Sequence, residues 1–125
     1  MSEKLATHYV GRQGESFAHD FLEKNGYRIV QSNYRVPVGE IDFICENGND
    51  LVFVEVKARR VTITSTPEES VTFRKQRQLY RVAEWYLNEI NYRHDRPVRF
   101  GVVSILISEE GKFISAELFR NAFCL

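Results

Sequence analysis

The chain opens with apolar residues at helical spacing. Val10, Gly14, Phe17, Ala18, Phe21 and Leu22 form one stripe, which predicts an amphipathic helix over residues 7–24 with Thr7 as its N-cap. Asn25-Gly26 then supplies a stop signal. From there the pattern switches to the alternation of strands. A first strand is expected over residues 27–35, and Pro37-Val38-Gly39 turns the chain. Strands over 40–46 and 51–57 flank Asn47-Gly48-Asn49-Asp50, and Asn-Gly between alternating apolar runs is a strong hairpin signal. The polar stretch 58–69, including Thr64-Ser65, carries no clear element. A second helix is expected over roughly 70–89, since Leu79, Val82, Ala83, Tyr86, Leu87 and Ile90 fall on one core-facing stripe. Strands over 98–106 and 112–119 flank the turn Ser108-Glu109-Glu110-Gly111.

The order α-β-β-β-α-β-β predicts an α/β fold, in which a central mixed five-stranded sheet is flanked by two main helices. At 125 residues the chain has room for one domain, residues 1–125, with one core. Periodicity does not say whether the helices share a face of the sheet. No run of about 18 apolar residues occurs, so no membrane span is expected. The first residues lack the apolar centre of a signal peptide. Cys45 and Cys124 are too few for a disulfide framework and suit a reducing, cytoplasmic setting, with Cys45 as an inert buried thiol.

Charge changes the picture more than composition does. The formal net charge is zero, yet residues 1–56 hold five basic and nine acidic side chains, whereas 57–99 hold ten basic and five acidic. An acidic half followed by a basic segment is compatible with a metal site beside a phosphate-binding surface. A solvated, mixed-charge surface would read the same way. Net neutrality argues against strong non-specific DNA binding and for a weak binder that uses a partner or a homodimer.

Two carboxylates interrupt strands that otherwise read as buried: Asp42 within Ile41–Cys45 and Glu55 within Val52–Val56. With Asn47-Gly48 as a two-residue turn, Asp42 faces Phe53 and Glu40 faces Glu55. With Gly48-Asn49 as the turn, Asp42 faces Glu55 directly. Either register puts Asp42, Glu55 and Lys57 on one face of the sheet. Carboxylates this close repel unless something positive lies between them, and Mg²⁺ or Mn²⁺ suits two oxygen ligands with several retained waters. Lys57 would point its ammonium at the same spot, to orient water or to stabilise charge on a phosphate. The same grouping would also serve as a structural ion cluster. Glu15 borders the buried stripe of the first helix and is a further candidate ligand, and Gly11 and Gly14 would let that helix approach a neighbouring backbone. Lys75 and Gln76 extend the core stripe of the second helix and are candidates for contacting phosphate or water. Arg74, Arg77 and Arg81 fall on the other face, where solvation is the default. Arg93, Arg96 and Arg99 form a second basic group with the same ambiguity. His8, His19 and His94 have no metal-ligand spacing.

Asp42 followed by Glu55-Val56-Lys57 resembles the PD-(D/E)xK signature of the restriction-endonuclease-like superfamily. The wider series is Gly11-Arg12-Gln13-Gly14-Glu15, Asn33-Tyr34-Arg35, Gly39-Glu40-Ile41-Asp42, Val52–Lys57, Lys75-Gln76-Arg77 and Arg99-Phe100. It is similar to the bacterial YraN-type family, relatives of archaeal Holliday-junction resolvases, over about residues 8–105. The resemblance implies a restriction-endonuclease-like fold. It also implies a catalytic set of Glu15, Asp42, Glu55 and Lys57, with Glu15, Asp42 and Glu55 as metal ligands. Arg12, Arg35, Lys75, Gln76 and Arg77, which stand in the same motifs, are expected to contact nucleic acid. Gln76 and Tyr80 also resemble the Gln-x-x-x-Tyr element of some superfamily nucleases. The chain departs from the family pattern at Gly101, where Asp is usual, and at Thr64-Ser65, where Phe-Gly is usual.

The resulting expectation is an Mg²⁺- or Mn²⁺-dependent endonuclease hydrolysing phosphodiester bonds of DNA, in branched or structured substrates. Two other classes stay open. One is a non-cleaving nucleic-acid-binding or adaptor module on the same fold. The other is a protein-interaction domain using Tyr80, Trp85, Tyr86 and Tyr92.

Overall fold

Helix α1 spans Glu3–Lys24 in the computed structural model, which describes residues 3–61 and 71–123, with side chains over 11–61 and 71–120. Thr7 therefore lies inside the helix and does not cap it. Glu3, Lys4, Leu5 and Ala6 are all good helix formers, so nothing stops the helix from extending towards the N-terminus. The strands β1 (Arg28–Val36), β2 (Gly39–Asn47) and β3 (Asp50–Arg60) follow, then helix α2 (Phe73–Glu89) and the strands β4 (Val98–Ile107) and β5 (Phe113–Phe123). Ala58, Arg59 and Arg60, expected as loop, instead continue β3 and pair with Ile105, Leu106 and Ile107. Thr64-Ser65 and Ser70, as well as Cys124, lie outside the described residues.

The sheet order is β1-β2-β3-β4-β5. Neighbours are antiparallel except β3 and β4, which are parallel. A parallel pair needs a crossover, and α2 lies on the chain path between those two strands. The β2–β3 hairpin takes the second register considered above: Asn47 pairs with Asp50 and Phe43 with Val54, around a Gly48-Asn49 turn in which Gly48 has φ of 61°.

The core is divided by the sheet, with one helix on each face. Ala18 and Leu22 of α1 pack on Phe43, Cys45, Val52, Val54, Val103 and Ile105. Leu79, Val82, Ala83 and Tyr86 of α2 pack on Tyr34, Ile41, Ile44, Leu51, Phe53 and Phe100. Strand alternation assigns the site residues at once: Asp42 shares its face with Ile44, and Glu55 and Lys57 share theirs with Phe53, so all three look towards α2. Cys45 is fully buried, which pushes its thiol up to about 12.

Gly14 seats α1. A Cβ at that position would stand 2.2 Å from the Cβ of Ala58, so only glycine lets the helix lie this close to β3. Gly11 has no such role, because a Cβ there would meet nothing within 4 Å. The expected pair of close-approach glycines thus reduces to one.

Candidate metal centre

The hydrogen-bonded ladder between β2 and β3 runs as far as Phe43–Val54, next to the two carboxylates. The N–H of Val56 donates to Oδ2 of Asp42 at 2.7 Å, so this carboxylate takes up a main-chain donor at the point where the ladder ends. Asp42 and Glu55 come next along the two strands, close enough for the Glu55 carboxylate to act on the Asp42 carboxyl. Two carboxylates held this close repel unless one is protonated or a cation joins them. Burial, followed by the neighbouring Glu55 carboxylate, pushes the Asp42 carboxyl up to about 8; the Val56 N–H and Lys75 pull the other way.

α2 contributes the cation. Nζ of Lys75 stands 3.2 Å from Oε2 of Glu55. Its position follows from the start of the helix: Oγ1 of Thr72 accepts from the Lys75 N–H at 3.2 Å and caps the first turn. Asp42, Glu55, Val56, Lys57, Val71, Thr72 and Lys75 together line a cleft of about 390 Å³. Lys57 is half-buried at its wall. Gln76, expected near phosphate, instead donates from Nε2 to the Val71 carbonyl at 2.8 Å and holds the approach to the helix.

Glu15 lies on the α1 side, in a separate depression with Arg12, Ser16, His19, Asp20 and Asn33. Burial and the charge of Asp42 raise its carboxyl above the usual range, while a hydrogen bond with Asn33 lowers it. Glu15 is therefore near enough to sense Asp42, yet Glu15, Asp42 and Glu55 do not all converge within 4.8 Å. The group that does so among the described residues is His19, Asp20 and Glu23, on the surface of α1, where His19 stands 3.1 Å from Glu23 as an i,i+4 neighbour. Asn33 was present in the sequence only as part of a motif; its φ of 52° marks it as a special position in β1.

The donor set fits a divalent cation at Asp42 and Glu55. Each carboxylate has one oxygen engaged, by Val56 or by Lys75, and keeps a second. The raised Asp42 carboxyl beside Glu55 marks a place where a positive charge is needed. For Glu15 the fit is looser, because it does not converge with the other two carboxylates and lines a separate depression.

Of the expected nucleic-acid contacts, Lys75 lines the cleft, and Arg12 and Arg77 are exposed on α1 and α2. Arg35 is exposed and pairs with Glu40 at 2.8 Å. The second basic group is structural in part: Arg96 binds Glu46 at 2.7 Å and the Asn49 carbonyl, and Arg99 binds Asp50 at 2.9 Å and Asn47, so both staple the β2–β3 turn. Among the four aromatics considered for protein interaction, only Trp85 is exposed; Tyr86 is buried, and Tyr80 packs its ring on Phe100.

Comparison with known proteins decides the family. The model of Uncharacterised protein family UPF0102 matches residues 14–105, a span that includes Glu15, Asp42, Glu55, Lys57 and Lys75. The chain belongs to that family. It is 50% identical over 113 residues to a UPF0102 protein of Desulfosudis oleivorans, covering 90% of this chain and 88% of the relative. A UPF0102 protein of Dictyoglomus thermophilum is 40% identical over 114 residues, covering 91% and 96%. One from Clostridium botulinum is 36% identical over 114 residues, covering 91% and 93%. UPF0102 is the family to which the YraN-type resemblance points. No helix among the described residues is long and apolar enough to cross a membrane.

Proposed function

We propose that this UPF0102 protein is a divalent-metal-dependent endonuclease that hydrolyses phosphodiester bonds in branched or otherwise structured DNA of the cytoplasm, on a restriction-endonuclease-like fold. The observation that carries the reading is the Asp42–Glu55 pair, held against each other on the floor of a cleft whose wall is cationic. A purely structural role would favour neutral side chains at these strand positions, because close carboxylates destabilise the sheet they sit in.

Asp42 and Glu55 would hold Mg²⁺ or Mn²⁺, with Glu15 acting through a water. When bound, the cation lowers the pKa of water and offsets charge that builds on the phosphate. The chain's own residues do the rest. Val56 fixes the Asp42 carboxylate through its N–H, and Lys75 fixes that of Glu55. Lys57, on the same face two residues beyond Glu55, would orient the attacking water and stabilise negative charge on the phosphate oxygens. Arg12, Arg35, Lys75, Gln76 and Arg77 are the proposed DNA contacts, with Gln76 acting through the segment that it holds at Val71.

One observation favours a second reading. The raised carboxyl of Asp42 and the ion pair of Lys75 with Glu55 already balance the two acids without a metal. A non-cleaving nucleic-acid-binding module on the same fold would be built this way. A cleavage screen over four-way junction, flap, single-stranded and duplex DNA, with Mg²⁺ or Mn²⁺, separates the two. The nuclease cuts at least one of them in a metal-dependent way, whereas the binding module retains DNA and cuts none.

A further inference from the structure

Next to the carboxylate cleft, α2 borders a larger one of about 610 Å³, lined by Thr72, Phe73, Arg74, Lys75, Arg77 and Arg81 among others. Its chemistry is one-sided. No acidic residue occurs from Phe73 to Ala83, and Arg74, Arg77 and Arg81 are all exposed. No carboxylate among the described residues forms an ion pair with any of the three. Cations near the start of a helix also oppose its dipole, so the helix alone gains nothing from them. Arg74, Arg77 and Arg81 recur at i, i+3 and i+7, a stripe apart from the buried one formed by Leu79, Val82, Ala83 and Tyr86.

Phe73 supplies a second chemistry. Its side chain is 74% exposed, and the guanidinium of Arg77 lies 6.0 Å from the ring centroid. An apolar ring left in water beside arginines is a platform on which a nucleobase stacks. A paired base in duplex DNA has both faces covered by its neighbours, so the platform selects an unpaired one.

The two clefts adjoin. Thr72 and Lys75 line both, and Lys75 reaches Glu55 at 3.2 Å. We propose that the basic cleft is the track of an unpaired DNA strand, with one base stacked on Phe73 and successive phosphates on Arg74, Arg77 and Arg81. The strand then runs past Lys75 and brings its next phosphodiester to Asp42 and Glu55. Only this destination rests on the nuclease reading; the binding surface stands without it.

Fluorescence anisotropy with a labelled oligodeoxynucleotide and the duplex of the same length, both in EDTA, tests the track without cleavage. The single strand is expected to bind more tightly than the duplex. Phe73→Ala should weaken single-strand binding about tenfold and leave the duplex unchanged, whereas Phe73→Tyr should restore it. Arg77→Ala combined with Arg81→Ala should flatten the plot of log affinity against log salt by about 1.4. Parent-like single-strand binding by Phe73→Ala, an equal loss on duplex, or no binding of either DNA overturns the proposal. Cleavage in Mg²⁺ or Mn²⁺ reads the other claim independently. Binding with these mutational effects but no cutting refutes the nuclease and keeps the track, whereas cutting with Phe73→Ala binding like the parent does the reverse.

Discussion

The carboxylate of Glu55 stands close enough to Asp42 to raise its carboxyl, just beyond the Phe43–Val54 pair that ends the β2–β3 ladder. Each strand was built for burial, and each presents a charge at the same height. The arrangement holds only while a proton or a cation sits between them, and the pH and metal behaviour of the chain follow from that.

Without metal, stability should fall as pH rises. Burial and Glu55 push the Asp42 carboxyl from its ordinary 3.8 up to about 8, so between these values the folded chain holds a proton that the unfolded chain releases. The favourable contribution is present in full below about pH 4 and lost by about pH 8. Glu15 is shifted in the same direction and adds to the slope. Urea midpoints measured in EDTA across this range should decline, and Asp42→Asn should make the decline shallower. A midpoint that climbs through this window would contradict the raised Asp42 carboxyl.

Divalent metal should reverse the loss. Mg²⁺ or Mn²⁺ at about 100 times its Kd stabilises the folded state by about 2.7 kcal/mol through mass action. For a chain of this size that raises Tm by roughly 10 °C. Binding must displace the proton that Asp42 holds below about pH 8, so the rise should be larger at about pH 8 than at about pH 6. Differential scanning fluorimetry reads both effects. Glu55→Gln should blunt the rise, and an undiminished rise in that variant would place the cation elsewhere.

The seat of α1 gives a contrast between two glycines. Gly14→Ala forces a methyl group to within 2.2 Å of Ala58 Cβ and should cost about 1–3 kcal/mol. Gly11→Ala meets nothing and should be neutral or stabilising by up to about 1 kcal/mol, as expected of glycine replaced within a helix. Chemical denaturation of the two variants checks this, and equal effects would mean that α1 does not rest on β3 through Gly14.

Lys57 and the carboxylates should separate binding from turnover. Lys57→Ala removes a cation and no ligand, so metal should still raise Tm while cleavage falls by about 100-fold or more. Loss of both together would assign Lys57 to holding the carboxylates in place.

Much of this was legible in the sequence because it rests on periodicity. The stripes through Ala18 and Leu22 and through Leu79, Val82 and Tyr86 fixed two helices, and alternation put Asp42, Glu55 and Lys57 on one face in either hairpin register. The choice of register was not legible, since Asn47-Gly48 and Gly48-Asn49 are both acceptable turns. Nor was the division of labour among the arginines. Arg96 and Arg99 read like Arg74, Arg77 and Arg81 in composition, but the fold brings Glu46 and Asp50 to the first two and, among the described residues, no acid to the others. Their partners are about 50 residues away in the chain, a distance over which local pattern carries no information. Gly11 and Gly14 likewise look alike until β3 is placed beneath one of them.

The most direct test is single-turnover cleavage of the branched or structured DNA that the substrate screen selects, comparing the parent chain with Glu55→Gln in Mg²⁺ and Mn²⁺. The account predicts metal-dependent cutting by the parent, abolished by EDTA, and a rate at least about 1,000-fold lower in Glu55→Gln, as for loss of a major electrostatic contribution at an active site. A Glu55→Gln variant that cuts at the parent's rate, or a parent that binds metal at Asp42 and Glu55 and cuts none of the DNA structures, would contradict it.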